Sequence, residues 1–518
     1  MPGSDGKGSA TPKAPEQPRR PAQYRGLAAA GYQRRKPEDT VLYQVVQEHL
    51  ATFLAEARER SPYGTGLPRN VEREFAGYLD CGILARGFAR VRCECGNELL
   101  VAFSCKRRGI CPSCSARRMH ETAANLVDRV LPHVPTRQWV LSLPFRVRFL
   151  LARRGALRRE VLGIFLRAIT AWQRRMAGVR RGRGGSSLRS PLPAAFLQRF
   201  GSLLNLNVHF HLVALEGVYT RRQADGAAVF HPVRAPTTEE VEAIAARVAD
   251  RVRGLLERRG LLDEPDADAA ALEACQNAAL FGAVALGPRA GKKVRRMGTG
   301  VVRPRKERPP LCAAVEGFDV HANVALAAEN RAGLERLCRY GLRAPFALSR
   351  LSRVPRGRLS YELKHPLDDG TTHLLFEPLE LLEKLAVLVP PPREHLVAYH
   401  GVLAPCASLR AQVVPTEPDP PEACATKRAK PPRRIDWAAL LKRVFAVEIL
   451  ACALCGGRMR VIAVIEEGPV ATKILDYLDL PSAPPVRAPA RDPPEPQLPL
   501  SPATGELERH PSAWDSHP

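Results

Sequence analysis

Six cysteines fall within 34 residues, from Cys81 to Cys114. So dense a cluster constrains the fold more than any other feature of the chain. The order is Cys81, Cys93-Glu-Cys95, Cys105, then Cys111-Pro-Ser-Cys114. Zinc takes four soft ligands tetrahedrally, and a Cys-x-x-Cys knuckle turns two thiolates onto one ion. The spacing therefore predicts a zinc-ribbon-like module with Cys93, Cys95, Cys111 and Cys114 as ligands. The first pair is one residue shorter than the usual knuckle, so Cys105 or Cys81 is an alternative ligand. The competing reading is a set of buried free thiols. A further knuckle, Cys452-Ala-Leu-Cys455-Gly-Gly, has no matching pair nearby. Cys452 and Cys455 are then either plain core thiols or half of a second metal site, completed by Cys406, Cys424 or another subunit.

The chain has 13 cysteines, an odd number, and most lie in close pairs. That pattern suits metal binding in a reducing compartment better than a disulfide frame. The first twenty residues carry no apolar core segment, so they do not read as a secretory signal. No run reaches the ~18 apolar residues that a membrane helix needs. A cytoplasmic, nucleoid-associated protein with no membrane partner is expected. Lys and Arg exceed Asp and Glu by 78 to 53, a net charge of +25. Such an excess favours a polyanion as partner, because phosphate neutralisation releases counterions. The charge clusters at Arg174 to Arg183 and at Lys292 to Arg308. The alternative is a basic but merely solvated surface. Aromatic residues make up only 6%, which leaves little for the base stacking of an RNA-binding protein.

At 518 residues the chain suggests several domains. The pattern predicts a disordered basic arm over 1–38, a cysteine-rich metal-binding domain over 39–125 and a larger folded domain over 135–405. A linker over 415–435, a small Cys-x-x-Cys module over 436–480 and a Pro-rich disordered tail over 481–518 follow. Within these, helical spacing appears over 40–57, 120–131, 151–176 and 241–262, and strands over 139–145 and 317–326. Residues 195–219 read as two strands around a turn. Residues 357–376 read as a hairpin around Asp368-Asp369-Gly370. Lys364 and His373 on that hairpin face DNA, an active site or solvent.

The segment Asn205-Leu-Asn-Val-His209-Phe-His211-Leu-Val213 alternates polar and apolar residues. Strand side chains alternate faces, so Asn205, Asn207, His209 and His211 share one face. Two imidazoles two residues apart on a strand can share one metal ion; the alternative is a pair of exposed polar residues. His321 is the first candidate for a third ligand and Gln198 the second. Asn330 to Arg343 reads as a helix with a good N-cap, stopped before Pro345. Its Leu334, Leu337 and Cys338 form an apolar stripe, and Arg336, Arg339 and Arg343 lie opposite. Tyr340 falls on the border between these faces, where a phenol reaches a cleft or simply packs at the core edge.

Taken together, 103–119 (FSCKRRGICPSCSARRM), 137–145 (RQWVLSLPF), 197–219 (LQRFGSLLNLNVHFHLVALEGVY), 333–340 (GLERLCRY), 368–405 and 449–466 (ILACALCGGRMRVIAVIE) resemble the rolling-circle transposases of the insertion-sequence-ninety-one type. The resemblance runs in order over about residues 40–480. It makes the domain over 39–125 a zinc-binding DNA-recognition domain and that over 135–405 a catalytic domain. It implies an α+β fold: an HUH endonuclease domain, with an antiparallel sheet flanked by helices, between a zinc-ribbon-like module and a small mixed C-terminal module. It implies Mg2+ or Mn2+ at His209 and His211, Zn2+ at the N-terminal cysteines, and Tyr340 as the nucleophile that nicks single-stranded DNA through a 5′-phosphotyrosine. Arg107, Arg108, Arg336, Arg339 and Arg343 are the candidate DNA contacts. Host replication proteins and a homo-oligomer are further possible partners. Two-tyrosine members carry a second tyrosine four residues earlier; Arg336 stands there in this chain, which suggests the single-tyrosine branch. A plasmid replication initiator or relaxase with the same chemistry, or a non-catalytic zinc-dependent DNA-binding protein, are the alternatives.

Overall fold

A computed structural model describes residues 34–179, 194–261, 271–301, 307–415 and 450–491, with Leu440 and Arg443. The arm before residue 34, the basic segment 180–190, residues 302–306 of the second basic cluster, the linker beyond 415 with Cys424, and the tail from 492 lie outside the described residues. The chain forms two compact units. One comprises Gly82–Phe103 with Trp437–Pro484 and residues up to Arg35; the other comprises Lys36–Cys81, Ser104–Asp436 and the chain from Pro485.

The elements follow in chain order. Helices α1 (Val41–Glu59) and α2 (Arg69–Asp80) precede strands β1 (Gly87–Cys93) and β2 (Glu98–Ala102). Then come α3 (Pro112–Arg129), β3 (Thr136–Ser142), α4 (Phe145–Arg153), α5 (Gly155–Met176), β4 (Ala194–Phe200) and β5 (Leu206–Leu215). A ribbon of β6 (Gly217–Arg221) and β7 (Ala228–Pro232) leads to α6 (Thr238–Arg258), α7 (Ala271–Leu280), β8 (Arg295–Gly298), β9 (Cys312–Val315), β10 (Phe318–Leu326) and α8 (Arg331–Gly341). Strands β11 (Leu351–Arg353), β12 (Leu359–Glu362) and β13 (Thr371–Phe376), helix α9 (Pro378–Leu388), strand β14 (Val397–Tyr399) and α10 (Arg410–Val413) complete the larger unit. Strand β15 (Met459–Glu466) and helix α11 (Pro469–Tyr477) lie in the smaller one.

The larger unit is built on a six-stranded sheet of order β14-β4-β5-β3-β10-β9. Every neighbouring pair in it is antiparallel. One face of its central strands meets α5, where Trp139 packs edge-to-face on Trp172 with ring centroids 5.8 Å apart. On the other face Ala194, Phe196, Val213 and Leu215 form a core with Ala123, Leu126 and Val127 of α3 and with Leu334 and Cys338 of α8. The architecture is α+β, an antiparallel sheet flanked by helices, as expected. The long basic helix expected over 151–176 is instead two helices. Arg154 between them is extended, at φ −108° and ψ 94°, and the guanidinium of buried Arg158 turns back to the carbonyls of Leu151 and Ala152. The expected hairpin is present as β12 and β13. Its turn is closed by Asp369 Oδ1 accepting from the Thr371 amide at 2.9 Å, and Gly370 takes the left-handed φ of 78°.

In the smaller unit β15, β1 and β2 form an antiparallel sheet in that order. Glu98 lies buried beneath Arg90 and Arg92, whose guanidiniums both donate to its carboxylate. These bonds hold its carboxyl below the usual range even though burial pushes it up.

Candidate active site and cysteine clusters

Cross-strand register assembles the site. Gln198 of β4 stands opposite His209 of β5, and Phe196 opposite His211. His211 in turn pairs with Val140 of β3, and Val140 with His321 of β10. Partners across a sheet share a face. Gln198, His209, His211, Gln138 and His321 therefore project on the side occupied by α3 and α8.

The hydrogen bonds fix which atoms are free. His209 Nδ1 lies 2.9 Å from the carbonyl oxygen of Asn207. A carbonyl only accepts, so Nδ1 carries the proton and Nε2 keeps its lone pair. Gln198 Nε2 donates to the carbonyls of Tyr340, at 2.8 Å, and Gly341, at 3.0 Å. Both amide hydrogens are thus engaged, and Oε1 is left buried without a partner. His211 Nδ1 meets the Gln138 side-chain amide at 3.0 Å, while His211 Nε2 is buried and unpartnered. Asn207 Oδ1 is a further buried acceptor with no donor. Buried polar atoms normally find partners, so this convergence is unusual.

Burial keeps both imidazoles neutral. Desolvation, with Arg343 and Arg148 nearby, pushes His209 down to about 4 despite the Asn207 carbonyl. Desolvation, then His209, Arg343 and His321, push His211 down to about 3. Neutral imidazoles are the form that ligates metals.

Tyr340 lies beside this pair. Its ring meets His211 edge-to-face with centroids 5.5 Å apart, and the two histidine rings are 5.0 Å apart. The tyrosine is 40% exposed, so it is both anchored and accessible. Two features hold its helix. Asn330 Oδ1 caps α8 by accepting from the Gly333 amide at 2.9 Å. Arg331 donates to carbonyls at the end of α3, namely Leu131 at 2.8 Å, Pro132 at 3.1 Å and Val127. Gly341 lets the helix end seat on the sheet, since a Cβ there would lie 2.9 Å from Phe196 Cγ. Arg343 stacks its guanidinium over Tyr340, 4.7 Å from the ring centroid, and near Phe200 at 5.3 Å.

The remaining candidates are spread out. His321 is exposed, and its Nδ1 lies 3.0 Å from Cys312 Sγ. Gln198, the second candidate for a third ligand, is the one beside the pair. Arg336 is exposed and Arg339 half-buried on α8. Arg108, expected to face DNA, directs its guanidinium to the carbonyls of Glu394, at 2.6 Å, and Pro391, at 3.2 Å. It is thus engaged in holding a loop. Arg107 lies along α2 against Gly77. Lys364 is exposed, and His373 bonds Thr372 at 2.8 Å. Asn207, which the alternation places on the histidine face, also shapes the site, as do Gln138 and Gly341, which the sequence pattern does not single out for it. The available signal for Gln138 was a glutamine just before the mostly apolar strand expected over 139–145.

The cysteines sort differently from expectation. Cys111 and Cys114 meet Cys81 and Cys105; Cys93 and Cys95 meet Cys452 and Cys455. In each quartet all four sulfurs lie within 4.8 Å of one another. The expected set of Cys93, Cys95, Cys111 and Cys114 is not brought together, because β1 and β2 intervene and carry the first pair to the smaller unit. In the first quartet Cys81 Sγ is 3.7 Å from Cys114 and 3.5 Å from Cys111, and Cys105 is 3.5 Å from Cys114. Four sulfurs at ~2.3 Å from a tetrahedral zinc stand about 3.8 Å apart, whereas a disulfide requires about 2.05 Å. Cys111 is the N-cap of α3, so this quartet fixes the start of the helix that supports α8.

Among the described residues no helix is long and apolar enough to cross a membrane. Searches of the curated proteins and of the solved structures each returned no match. Two family models do match. The model described as "Transposase zinc-binding domain", of the IS91 type, covers residues 45–143, and Y2_Tnp, described as "Putative transposase", covers residues 194–411. The first, with the quartets, supports Zn2+ in the N-terminal region. With a zinc-binding domain ahead of a transposase domain, the chain belongs to the transposases of the insertion-sequence-ninety-one type.

Proposed function

We propose that this transposase nicks single-stranded DNA at element ends with Tyr340 and rejoins the strand in a rolling-circle reaction. The observation that carries the reading is the edge-to-face approach of Tyr340 to His211, on a sheet face with buried, unpartnered ligand atoms on His211 and Gln198. His209 and His211 through Nε2, with Gln198 through Oε1, form a donor set of two imidazoles and an amide oxygen, which suits Mg2+ or Mn2+. Bound there, the cation would polarise the scissile phosphate and stabilise the leaving oxygen. The Gln138 side-chain amide stands 3.0 Å from His211 Nδ1; turned so that its oxygen accepts from Nδ1–H, it would leave Nε2 with the lone pair that a ligand role needs.

The tyrosine oxygen attacks the phosphorus, and the bond from phosphorus to the 3′ oxygen breaks. The phenolic proton is lost, and the departing oxygen takes up a proton to become a free 3′-hydroxyl. A 5′-phosphotyrosine remains and conserves the bond energy, so no nucleoside triphosphate is required. Attack by another 3′-hydroxyl restores the tyrosine. Arg343 beside the phenol, and Arg336 and Arg339 on the same helix, supply charge for the backbone phosphates. Since Arg336 replaces a second tyrosine, strand transfer uses Tyr340 twice, a second subunit, or the 3′-hydroxyl directly. Zinc at Cys81, Cys105, Cys111 and Cys114 has a structural role, fixing α3.

The test is a denaturing gel of full-length protein with labelled single-stranded DNA from the element's end and Mg2+ or Mn2+. A metal-dependent adduct absent in Tyr340→Phe and in His209→Ala/His211→Ala is expected. DNA binding with neither nick nor adduct under any metal would leave a zinc-dependent DNA-binding protein.

A further inference from the structure

We infer that Cys93, Cys95, Cys452 and Cys455 form a second tetrathiolate zinc site, which closes the small unit from segments 357 residues apart in the chain. The geometry fits one ion. Cys93 Sγ lies 3.4 Å from Cys455 Sγ, and Cys95 Sγ lies 3.6 Å from Cys452 Sγ. These separations match the ~3.8 Å edge of a ZnS4 tetrahedron and are far too long for disulfides. The shortened Cys93-Glu-Cys95 spacing is accommodated because Cys93 ends β1 and Cys95 lies in the turn, where the Gly96 amide bonds back to the Cys93 carbonyl at 3.0 Å.

The surroundings also favour sulfur carrying negative charge. Asn97 Nδ2 donates to Cys452 Sγ at 3.3 Å, and the Leu454 amide does so at 3.4 Å. The Gly457 amide donates to Cys455 Sγ at 3.4 Å. Such donors orient metal ligands and temper their charge. Gly457 lies close against the sulfurs: a Cβ there would stand 3.1 Å from Cys455 Sγ and 3.3 Å from Cys93 Sγ, so the thiolates would have to give by a few tenths of an ångström. Four soft thiolates select zinc over the hard cation of the histidine site.

The packing gives the site its purpose. The core around the quartet is Val91, Cys93, Cys452 and Met459, with only Leu99 and Val101 packed against it among the described residues. Val461, Ile462 and Val464 of β15 are exposed. So small a core needs a metal staple to hold its strands, and ligand binding then supplies folding free energy directly. The C-terminal knuckle is thereby half of a module whose other half lies inside the N-terminal zinc-binding segment.

Exposure provides a test on the unmodified protein. Cys95, Cys455 and Cys406 are all exposed, and Cys406 belongs to neither quartet. Native full-length protein is pulsed with iodoacetamide, and the labelled peptides are mapped by mass spectrometry with and without chelator. Cys406 should label at once, and Cys95 and Cys455 at least tenfold more slowly until chelator is added. Native mass spectrometry should find two zinc ions per chain, falling to one in Cys452→Ser/Cys455→Ser and returning to two in Cys455→His. The ion remaining in the serine variant, at the first quartet, shows that the larger unit is still folded. Labelling of Cys95 and Cys455 as fast as Cys406, a single zinc in the unmodified protein, or a Cys93–Cys455 disulfide in the peptide map would each overturn the assignment.

Discussion

Replacing Gly341 by alanine should dislodge the helix that carries Tyr340 by a calculable amount. The added carbon would stand 2.9 Å from Phe196 Cγ and 3.0 Å from Cδ2, whereas carbon atoms prefer about 3.5–4.0 Å. Phe196 is sealed in the core between β4, α3 and α8, so the end of α8 must retreat by about 0.6–1 Å. That stretches the 2.8 and 3.0 Å bonds from Gln198 to the Tyr340 and Gly341 carbonyls to or past the useful limit near 3.5 Å. Overpacking costs about 1–3 kcal/mol and the weakened bonds about 1 kcal/mol more; the better helix propensity of alanine returns up to about 1 kcal/mol. A net loss of about 1–3 kcal/mol should appear as a lower urea midpoint. A reacting group misplaced by ~1 Å slows chemistry by about 10²-fold, so adduct formation should fall far more than stability alone would dictate. Phe196→Leu in the same chain should recover part of the rate by restoring space. A Gly341→Ala protein with unchanged stability and an adduct rate within about twofold of the parent would refute the seating of α8 on Phe196.

Three further outcomes are expected. Because burial lowers His209 to about 4 and His211 to about 3, the unfolded chain takes up protons below about 6.5 while the fold does not. Stability is therefore complete above about pH 6.5 and declines as pH falls from there through the folded values, by about 2 kcal/mol per histidine at about pH 5 without added divalent metal; urea midpoints of the parent and His209→Asn at neutral pH and near that acidic value should differ accordingly. Glu383→Leu should cost about 3–5 kcal/mol: Glu383 accepts from the Ala285 and Leu286 amides at 2.8 and 3.0 Å and pairs with buried Lys384, and chemical denaturation would expose a milder effect. Arg336→Ala with Arg339→Ala should lower the slope of log affinity against log salt for single-stranded DNA by about 0.7 for each phosphate no longer neutralised, as fluorescence anisotropy at several salt concentrations would show.

How much of this was readable in the sequence depended on whether the information was local. The alternation over 205–213 and the capped, proline-stopped segment after Asn330 gave β5 and α8, because strand pleat and helix ends are short-range properties. The hairpin at Asp368 to Gly370 was legible for the same reason. The partners of Cys93 and Cys95 were not: spacing shows which two thiolates share a turn, never which distant turn they meet. Gln198 became more than a second candidate only through the β4–β5 register, which sets it opposite His209. Helix α9 was hidden because Glu383 and Lys384 resemble a solvated charged pair, yet both are fully buried and satisfy each other and the backbone. The break between α4 and α5 has no proline to announce it; the Arg158 guanidinium returning to the preceding carbonyls accompanies it.

The most direct measurement is the identity of the residue that carries DNA. The covalent complex formed with single-stranded element-end DNA and Mn2+ would be digested with nuclease and protease, and the modified peptide sequenced by mass spectrometry. If Tyr340 is the nucleophile, one nucleotide is joined to it through a 5′-phosphate, and the released strand ends in a 3′-hydroxyl. A nucleotide on any other residue, or a 3′-phosphate linkage, would contradict that role.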